Sequence, residues 1–459
     1  MQRRYPLPTR VLSNGEFRPL AQTHQQKLTE KTLESLAVRF GRKLGWSRRR
    51  FLGSTCGMAA AFLAMNSVYG GIFDVLPAEA SEPEAAEAIR KSLDQQFIFD
   101  VQLHYVRDQY AWQGLAGLRR YARNWNKDLG AENSDLEKIK FDNFIDEVFL
   151  QSQTKIGLLS GAPSDDPQKW FLTNDEIAKT RSVINGIAGS RRLLAHAIFT
   201  PGQPGWLEEI DRAIETLHPD SWKGYTIGDP LGPSRYPWRL DDEQLVYPAY
   251  EKMVKAGIRN VCIHKGLLPD DYQTSFPDLW RYATVDDVGK AARDWPRLNF
   301  IIYHAALRPL QDFAPEYLSS FEANGYIPWV SELAAIPAKF KVDNVYAELG
   351  TAFASSAVTY PRHCAVLLST LIKGLGVDKV LWGTDSVWYG SPQWQIEAFR
   401  RIEIPADLQE KFALPPLGKA DGLVKSAIFG LNSARLYDVA LAPKTLSLLD
   451  RERISARYS

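Results

Sequence analysis

From residue 97 onward, short apolar runs alternate with stretches of helical period. Eight runs have strand length: 97–104, 155–160, 192–199, 222–227, 260–264, 299–304, 343–349 and 379–384. Near-continuous apolar content, as in Phe300-Ile301-Ile302-Tyr303, is what a strand covered on both faces requires. Between the runs, Thr173 with Glu176 and Thr284 with Asp287 read as capping boxes, and Gly257 after Lys255-Ala256 reads as a helix stop. This alternation predicts an α/β fold, a (β/α)8 TIM barrel over residues 97–459 with helices at its carboxyl end. Two insertions break the rhythm, 106–154 after the first strand and Gly228–Leu240 after the fourth. Both are expected over the carboxyl ends of the strands as pocket walls, the first alternatively as a hairpin that braces the barrel.

Four polar residues close apolar runs. His104 ends FIFDVQLH, His264 ends NVCIH, His304 ends NFIIYH and Asp385 ends VLWGTD. Strand ends of a parallel barrel converge on one face, so these four residues are expected to meet there as one metal site. Read singly, each is a polar residue satisfied at a strand end. Cys262 and Cys364 read as small core residues, and neither a disulfide framework nor a cysteine-based zinc motif is present.

Charge is unevenly placed. Residues 1–80 hold 12 of the 55 Lys and Arg but only 5 of the 54 Asp and Glu, so the rest of the chain is mildly acidic. It shows no basic stripe interleaved with aromatics, which argues against nucleic acid as a partner. Ser47-Arg48-Arg49-Arg50-Phe51-Leu52-Gly53 resembles a twin-arginine export signal, followed by an uncharged stretch to Phe73 and a small-residue pattern at Pro77-Ala78-Glu79-Ala80. The expected organisation is a leader extension over 1–46, the signal over 47–80 with cleavage after Ala80, a linker over 81–96, and the barrel. The expected partner is then the twin-arginine export machinery and the expected location periplasmic or extracellular. An uncleaved membrane anchor and a cytoplasmic extension are the other readings of the same segment.

Asp100-Val101-Gln102-Leu103-His104, Ile263-His264-Lys265-Gly266, Tyr303-His304-Ala305 and Leu381-Trp382-Gly383-Thr384-Asp385 together resemble the amidohydrolase superfamily. The likeness is greatest to the amidohydrolase-related branch that includes aminocarboxymuconate semialdehyde decarboxylase, and Asn432–Tyr437 resembles that branch's closing helix. The resemblance implies His104 and His264 as metal ligands, Asp385 as ligand and base, and His304 as the catalytic imidazole. In the family the first strand ends His-x-His; here Gln102 stands at the first position, so it is at most a weaker amide ligand. A two-histidine, one-carboxylate set suits zinc first, with manganese or iron also compatible.

Around these residues, Arg308 is a candidate grip for a substrate carboxylate or else a surface ion-pair partner, and Trp388 and Tyr389 are candidate pocket walls, whereas Trp382 reads as core. Lys223 reads as a structural or substrate-facing lysine, Lys265 as pointing away from His264, and Glu348 as facing either the site or a buried partner. The expected activity is metal-dependent hydrolysis of a small organic acid or of an ester- or amide-like carbonyl compound. Non-oxidative decarboxylation of an aromatic or unsaturated acid is the alternative, and a non-catalytic binding barrel is the reading from another class. Both a single chain and a homo-oligomer are compatible with the sequence.

Overall fold

The computed structural model describes all residues except 1–4, 11–13, 17–18, 20, 127–128, 130–135, 230–231, 270, 309–320, 443, 445, 447 and 459. The two insertions expected as pocket walls therefore lie partly outside the described residues.

Eight strands form one parallel sheet in sequential order: β1 Phe99–Leu103, β2 Ile156–Leu159, β3 Leu193–Ile198, β4 Ser221–Tyr225, β5 Asn260–His264, β6 Asn299–Tyr303, β7 Val345–Glu348 and β8 Val380–Leu381. Each falls on one of the eight apolar runs. The sheet comes round on itself where Val101 N–H bonds Trp382 O at 3.0 Å and Asp385 N–H bonds Gln102 O at 3.0 Å. Helices lie between the strands, giving a (β/α)8 barrel. Alternation along each strand sends Phe99, Val101, Cys262, Ile301, Tyr303 and Leu381 into one inner cluster. Tyr437, at the end of the Asn432–Tyr437 helix, closes that cluster, its ring 5.6 Å from Phe99.

Of the helix signals, the Thr173–Glu176 capping box is present and Gly257 ends its helix at φ 77°. The Thr284–Asp287 box is not. Its helix starts at Val288, and Asp287 instead forms a buried ion pair with Lys265 at 2.8 Å. The carboxylate is more useful there, because an unpaired ammonium in the core costs several kcal/mol or shifts to its neutral form.

The amino-terminal residues pack against the barrel. Helices α1 His24–Lys43, α2 Arg48–Leu52 and α3 Thr55–Tyr69 bury Leu33, Phe51, Phe62 and Met65, each contributing about 1.5–3 kcal/mol of apolar burial. Gly57 allows α2 and α3 to touch: a Cβ there would lie 2.8 Å from Leu52 Cα. Phe73 pairs with Ile402, Arg401 binds Glu79 at 2.8 Å, and Gln26 on α1 reaches Thr359 at 3.2 Å. Arg48 of the twin-arginine motif is engaged by Glu34. No helix among the described residues is long and apolar enough to cross a membrane.

Candidate metal centre

Three local devices aim side chains at the carboxyl-end face. The β1–β2 register shifts between Asp100 and Leu103, and beyond it Gln102 and His104 share a face, their side-chain nitrogens 3.3 Å apart. On β5, alternation with the inward Cys262 carries His264 inward too. On β6 the inward residues are Ile301 and Tyr303, so His304 would face away if the strand continued. It does not continue: His304 has φ 59°, and the left-handed turn swings its ring back to the site, where Nε2 lies 3.3 Å from Gln102 Nε2. Asp385 likewise takes φ 56°. Left-handed backbone at non-glycine residues costs on the order of 1–3 kcal/mol each and persists where the surroundings over-determine it.

Hydrogen bonds fix which ring nitrogen carries a proton. His104 Nδ1 lies 2.7 Å from the Ser160 carbonyl, which can only accept, so Nδ1 is protonated and Nε2 is the nitrogen turned to Asp385. His304 is the reverse. Its Nδ1 accepts the Thr351 N–H at 3.1 Å, so Nε2 of the neutral ring carries the hydrogen. Burial keeps the His304 and His264 rings neutral: the pKa of His304 falls to about 3, and that of His264 lies well below the usual value, with His304 and Lys223 adding to the effect.

Asp385 is held by four groups. Oδ2 accepts from Asn14 at 3.1 Å and from the Thr351 hydroxyl, while Oδ1 accepts from Gln102 at 3.0 Å and faces His104 Nε2 at 3.2 Å. Burial alone would raise its pKa, but the His104 contact, the neighbouring His304 and the Thr351 bond hold it below the ordinary carboxylate range. The Thr351 hydroxyl also lies 2.9 Å from the Tyr389 hydroxyl.

Two residues at the centre, Asn14 and Glu16, fall within the stretch expected as leader. Glu16 is buried, its Oε1 3.4 Å from His264 Nδ1 and its Oε2 3.9 Å from His304 Nε2. Burial, then the charge of Asp385, pushes its pKa up to about 8. Among the described residues, the ligand-type atoms that all lie within 4.8 Å of one another belong to Glu16, His264 and His304, and not to the expected set His104, His264 and Asp385. The Gln102 amide nitrogen stands within 3.3 Å of Asp385, His104 and His304.

The family model described as amidohydrolase matches residues 185–439, more than half of the chain. The chain belongs to the amidohydrolase family. This amidohydrolase is an enzyme on that ground, and its family uses a divalent metal. No curated protein matches the chain. Among solved structures it is similar to an uncharacterised TIM-barrel protein from Bordetella bronchiseptica, at 15% identity and TM-score 0.49, covering 74% of this chain and 98% of that one. It is also similar to 5-carboxyvanillate decarboxylase from Sphingomonas paucimobilis, at 14% identity and TM-score 0.42 over 75% and 100% of the two chains. A third likeness is to dihydroxybenzoic acid decarboxylase from Polaromonas sp. JS666 with bound manganese, at 12% identity and TM-score 0.43 over 75% and 97%.

The donor set of the amidohydrolase fits a divalent cation. His104 Nε2 faces Asp385 Oδ1 at 3.2 Å, and His264 Nδ1, buried without a hydrogen bond, faces Glu16 Oε1 at 3.4 Å. An imidazole nitrogen and a carboxylate oxygen at such a distance hold a proton or a cation between them. Donors about 2.1 Å from a common ion and near a right angle apart would lie about 3 Å from each other. Gln102 Oε1 and Glu348 Oε1 are further buried acceptors with no hydrogen bond. The only sulfur-free ligands at hand are nitrogen and oxygen, which does not single out zinc.

The remaining candidates sort as follows. Lys223 is buried with no hydrogen bond at Nζ, 3.2 Å from the Tyr303 ring centroid, and burial lowers its pKa to about 8. Glu348 faces the site, accepting the His304 N–H at 3.1 Å, and burial raises its pKa well above the usual value. Trp382 is core, as expected. Trp388 and Tyr389 line a cavity of about 460 Å³ that Arg10, Arg119 and Lys138 also border, whereas the space beside Glu16 and His264 is about 10 Å³. Tyr389, which lines the larger cavity, also meets the Thr351 hydroxyl that bonds Asp385. Arg308 lies with its guanidinium 5.3 Å from the Trp329 ring centroid, and 309–320 beyond it are outside the described residues. Glu16 and Asn14 escaped the sequence reading. Their short polar stretch has no period, and nothing local marks it as part of a barrel.

Proposed function

We propose that this amidohydrolase is a divalent-metal-dependent lyase that removes the carboxyl group of a small aromatic or unsaturated acid. The hydrogen bonding of Asp385 carries this reading over hydrolysis. Both acceptor positions of Oδ2 are taken by Asn14 and Thr351, and Oδ1 is turned to Gln102 and His104, so a water proton has no ready place on the carboxylate. Decarboxylation needs no water: the carbon–carbon bond breaks, carbon dioxide leaves, and the carbon left behind takes up a proton.

His104, His264 and Asp385 would hold the cation, with Gln102 a weaker neutral neighbour. When bound, the cation supplies positive charge that draws electron density from a substrate oxygen. The chain's own residues do the rest. His304, protonated at Nε2, donates a hydrogen bond to an oxygen that gains charge. Tyr389 and Trp388 offer flat apolar walls, and Arg10, Arg119 and Lys138 around the same cavity suit an organic anion. Zinc, manganese and iron all match the donors, and elemental analysis of the purified protein decides among them.

Incubating the enzyme with a panel of aromatic and unsaturated acids in ¹⁸O-water tests the reaction. Release of carbon dioxide supports the lyase. Incorporation of ¹⁸O into product without carbon dioxide would overturn it in favour of hydrolysis of an ester- or amide-like compound. A non-catalytic barrel gives neither signal and binds its ligand equally well in His264→Ala.

Export by the twin-arginine route is a further proposal, supported by the Ser47–Gly53 motif. Glu16 and Asn14 precede the cleavage pattern at Ala80, so cleavage there would remove both from the metal centre.

A further inference from the structure

We propose that Glu16 is a ligand of the divalent cation, so that this enzyme completes its metal site with a carboxylate carried in by its own amino-terminal segment. The proposal rests on the metal dependence stated above and goes beyond it.

Position comes first. Glu16 Oε1 faces His264 Nδ1, a buried imidazole nitrogen that makes no hydrogen bond, at 3.4 Å. His304, the third member of the close group, has its hydrogen on Nε2 and so is a donor to substrate and not a ligand through that atom. The pair left to share an ion is His264 and Glu16.

Second, Gln102 brings only a neutral amide to the side of His104 and Asp385. A carboxylate is the stronger ligand for a hard or borderline divalent ion.

Third, the segment is built to present this side chain. Asn14 Nδ2 donates to Glu16 Oε2 at 2.5 Å and to Asp385 Oδ2 at 3.1 Å, while Asn14 Oδ1 accepts the Glu16 N–H at 3.1 Å. One amide thereby clips the incoming carboxylate to that of Asp385. Farther out, Thr9, Arg10 and Gln22 all bond Glu30 on α1, at 2.5, 3.0 and 2.7 Å, and Tyr5 bonds Glu34 at 2.7 Å. These contacts fix the approach of the segment.

The test uses the full chain, stripped with a chelator and titrated with Mn²⁺ or Zn²⁺ against a chromophoric chelator. The wild type is expected to hold one ion per chain. Glu16→Gln keeps the size of the side chain but replaces the anion, and it should bind at least about 10–100-fold more weakly, the loss found even for residues that merely support a ligand. Glu16→Cys loaded with Co²⁺ should show a thiolate-to-cobalt charge-transfer band absent from Glu16→Ser. Equal affinity in wild type and Glu16→Gln, or no such band in Glu16→Cys, overturns the proposal. So does faster turnover in Glu16→Gln at unchanged affinity, which would make the carboxylate a plug occupying the place of a substrate acid. A wild-type chain that holds no metal fails at the metal dependence itself, which separates the two outcomes.

Discussion

Gly383, two residues before Asp385, is the position where a single methyl group should be most informative. A Cβ there would lie 2.8 Å from Glu348 Cδ, closer still to Oε1, and 3.1 Å from Gln102 Cβ. Glu348 is fully buried and bonds the His304 N–H at 3.1 Å, so it cannot give way without releasing that bond. Overpacking of this kind costs about 1–3 kcal/mol, and a buried N–H left unpaired about 1–3 kcal/mol more. Gly383→Ala should therefore lose about 2–6 kcal/mol and displace His304. In a Glu348→Ala background the same methyl group enters vacated space. Its cost should fall below about 1 kcal/mol, a coupling of at least about 1 kcal/mol between the two sites. Urea unfolding of the wild type, both single variants and the double variant measures this cycle. If Gly383→Ala costs as much with Glu348 truncated as with it present, the close approach of β7 and β8 at the site is not what limits residue 383.

Thr351→Val removes a donor from Asp385 Oδ2 and a partner from Tyr389, and turnover should drop about 10–100-fold with a stability loss of about 1–3 kcal/mol; undiminished turnover counts against an oriented Asp385. Lys223 has a folded pKa of about 8 against an ordinary value of 10.5, so between those pH values the unfolded chain binds more protons and folded stability rises with pH. In metal-stripped protein, Lys223→Met should accordingly be more stable than wild type at pH 7 and lose that advantage as pH rises from 8 to 10.5; a pH-independent difference would refute the burial penalty. Fractionation with amino-terminal sequencing tests the leader. A chain that keeps its Mn²⁺ or Zn²⁺ affinity should begin before Asn14, and full affinity in a chain starting at Ser81 would remove the amino-terminal segment from the site.

The barrel was legible because its rule is local. A strand covered on both faces must be apolar along a run, and a polar residue ending such a run sits where the strand meets solvent or substrate; eight runs and His104, His264, His304 and Asp385 could be picked out by that criterion. Roles depended on more than position. Which nitrogen of His304 carries hydrogen is set by the Thr351 amide, and the ring's direction by a left-handed turn after β6, neither of which has a sequence period. Gln102 was recognisable as a departure, but not as an amide standing between Asp385, His104 and His304. The amino-terminal segment was read from its charge and its arginine motif, which describe a stretch of chain and not what it touches. That Asn14 and Glu16 reach the centre of a barrel beginning more than eighty residues later was decided by tertiary packing alone. Long-range contacts of a short polar segment are selected by the shape and charge of the surface it meets, and the segment itself carries no record of that surface.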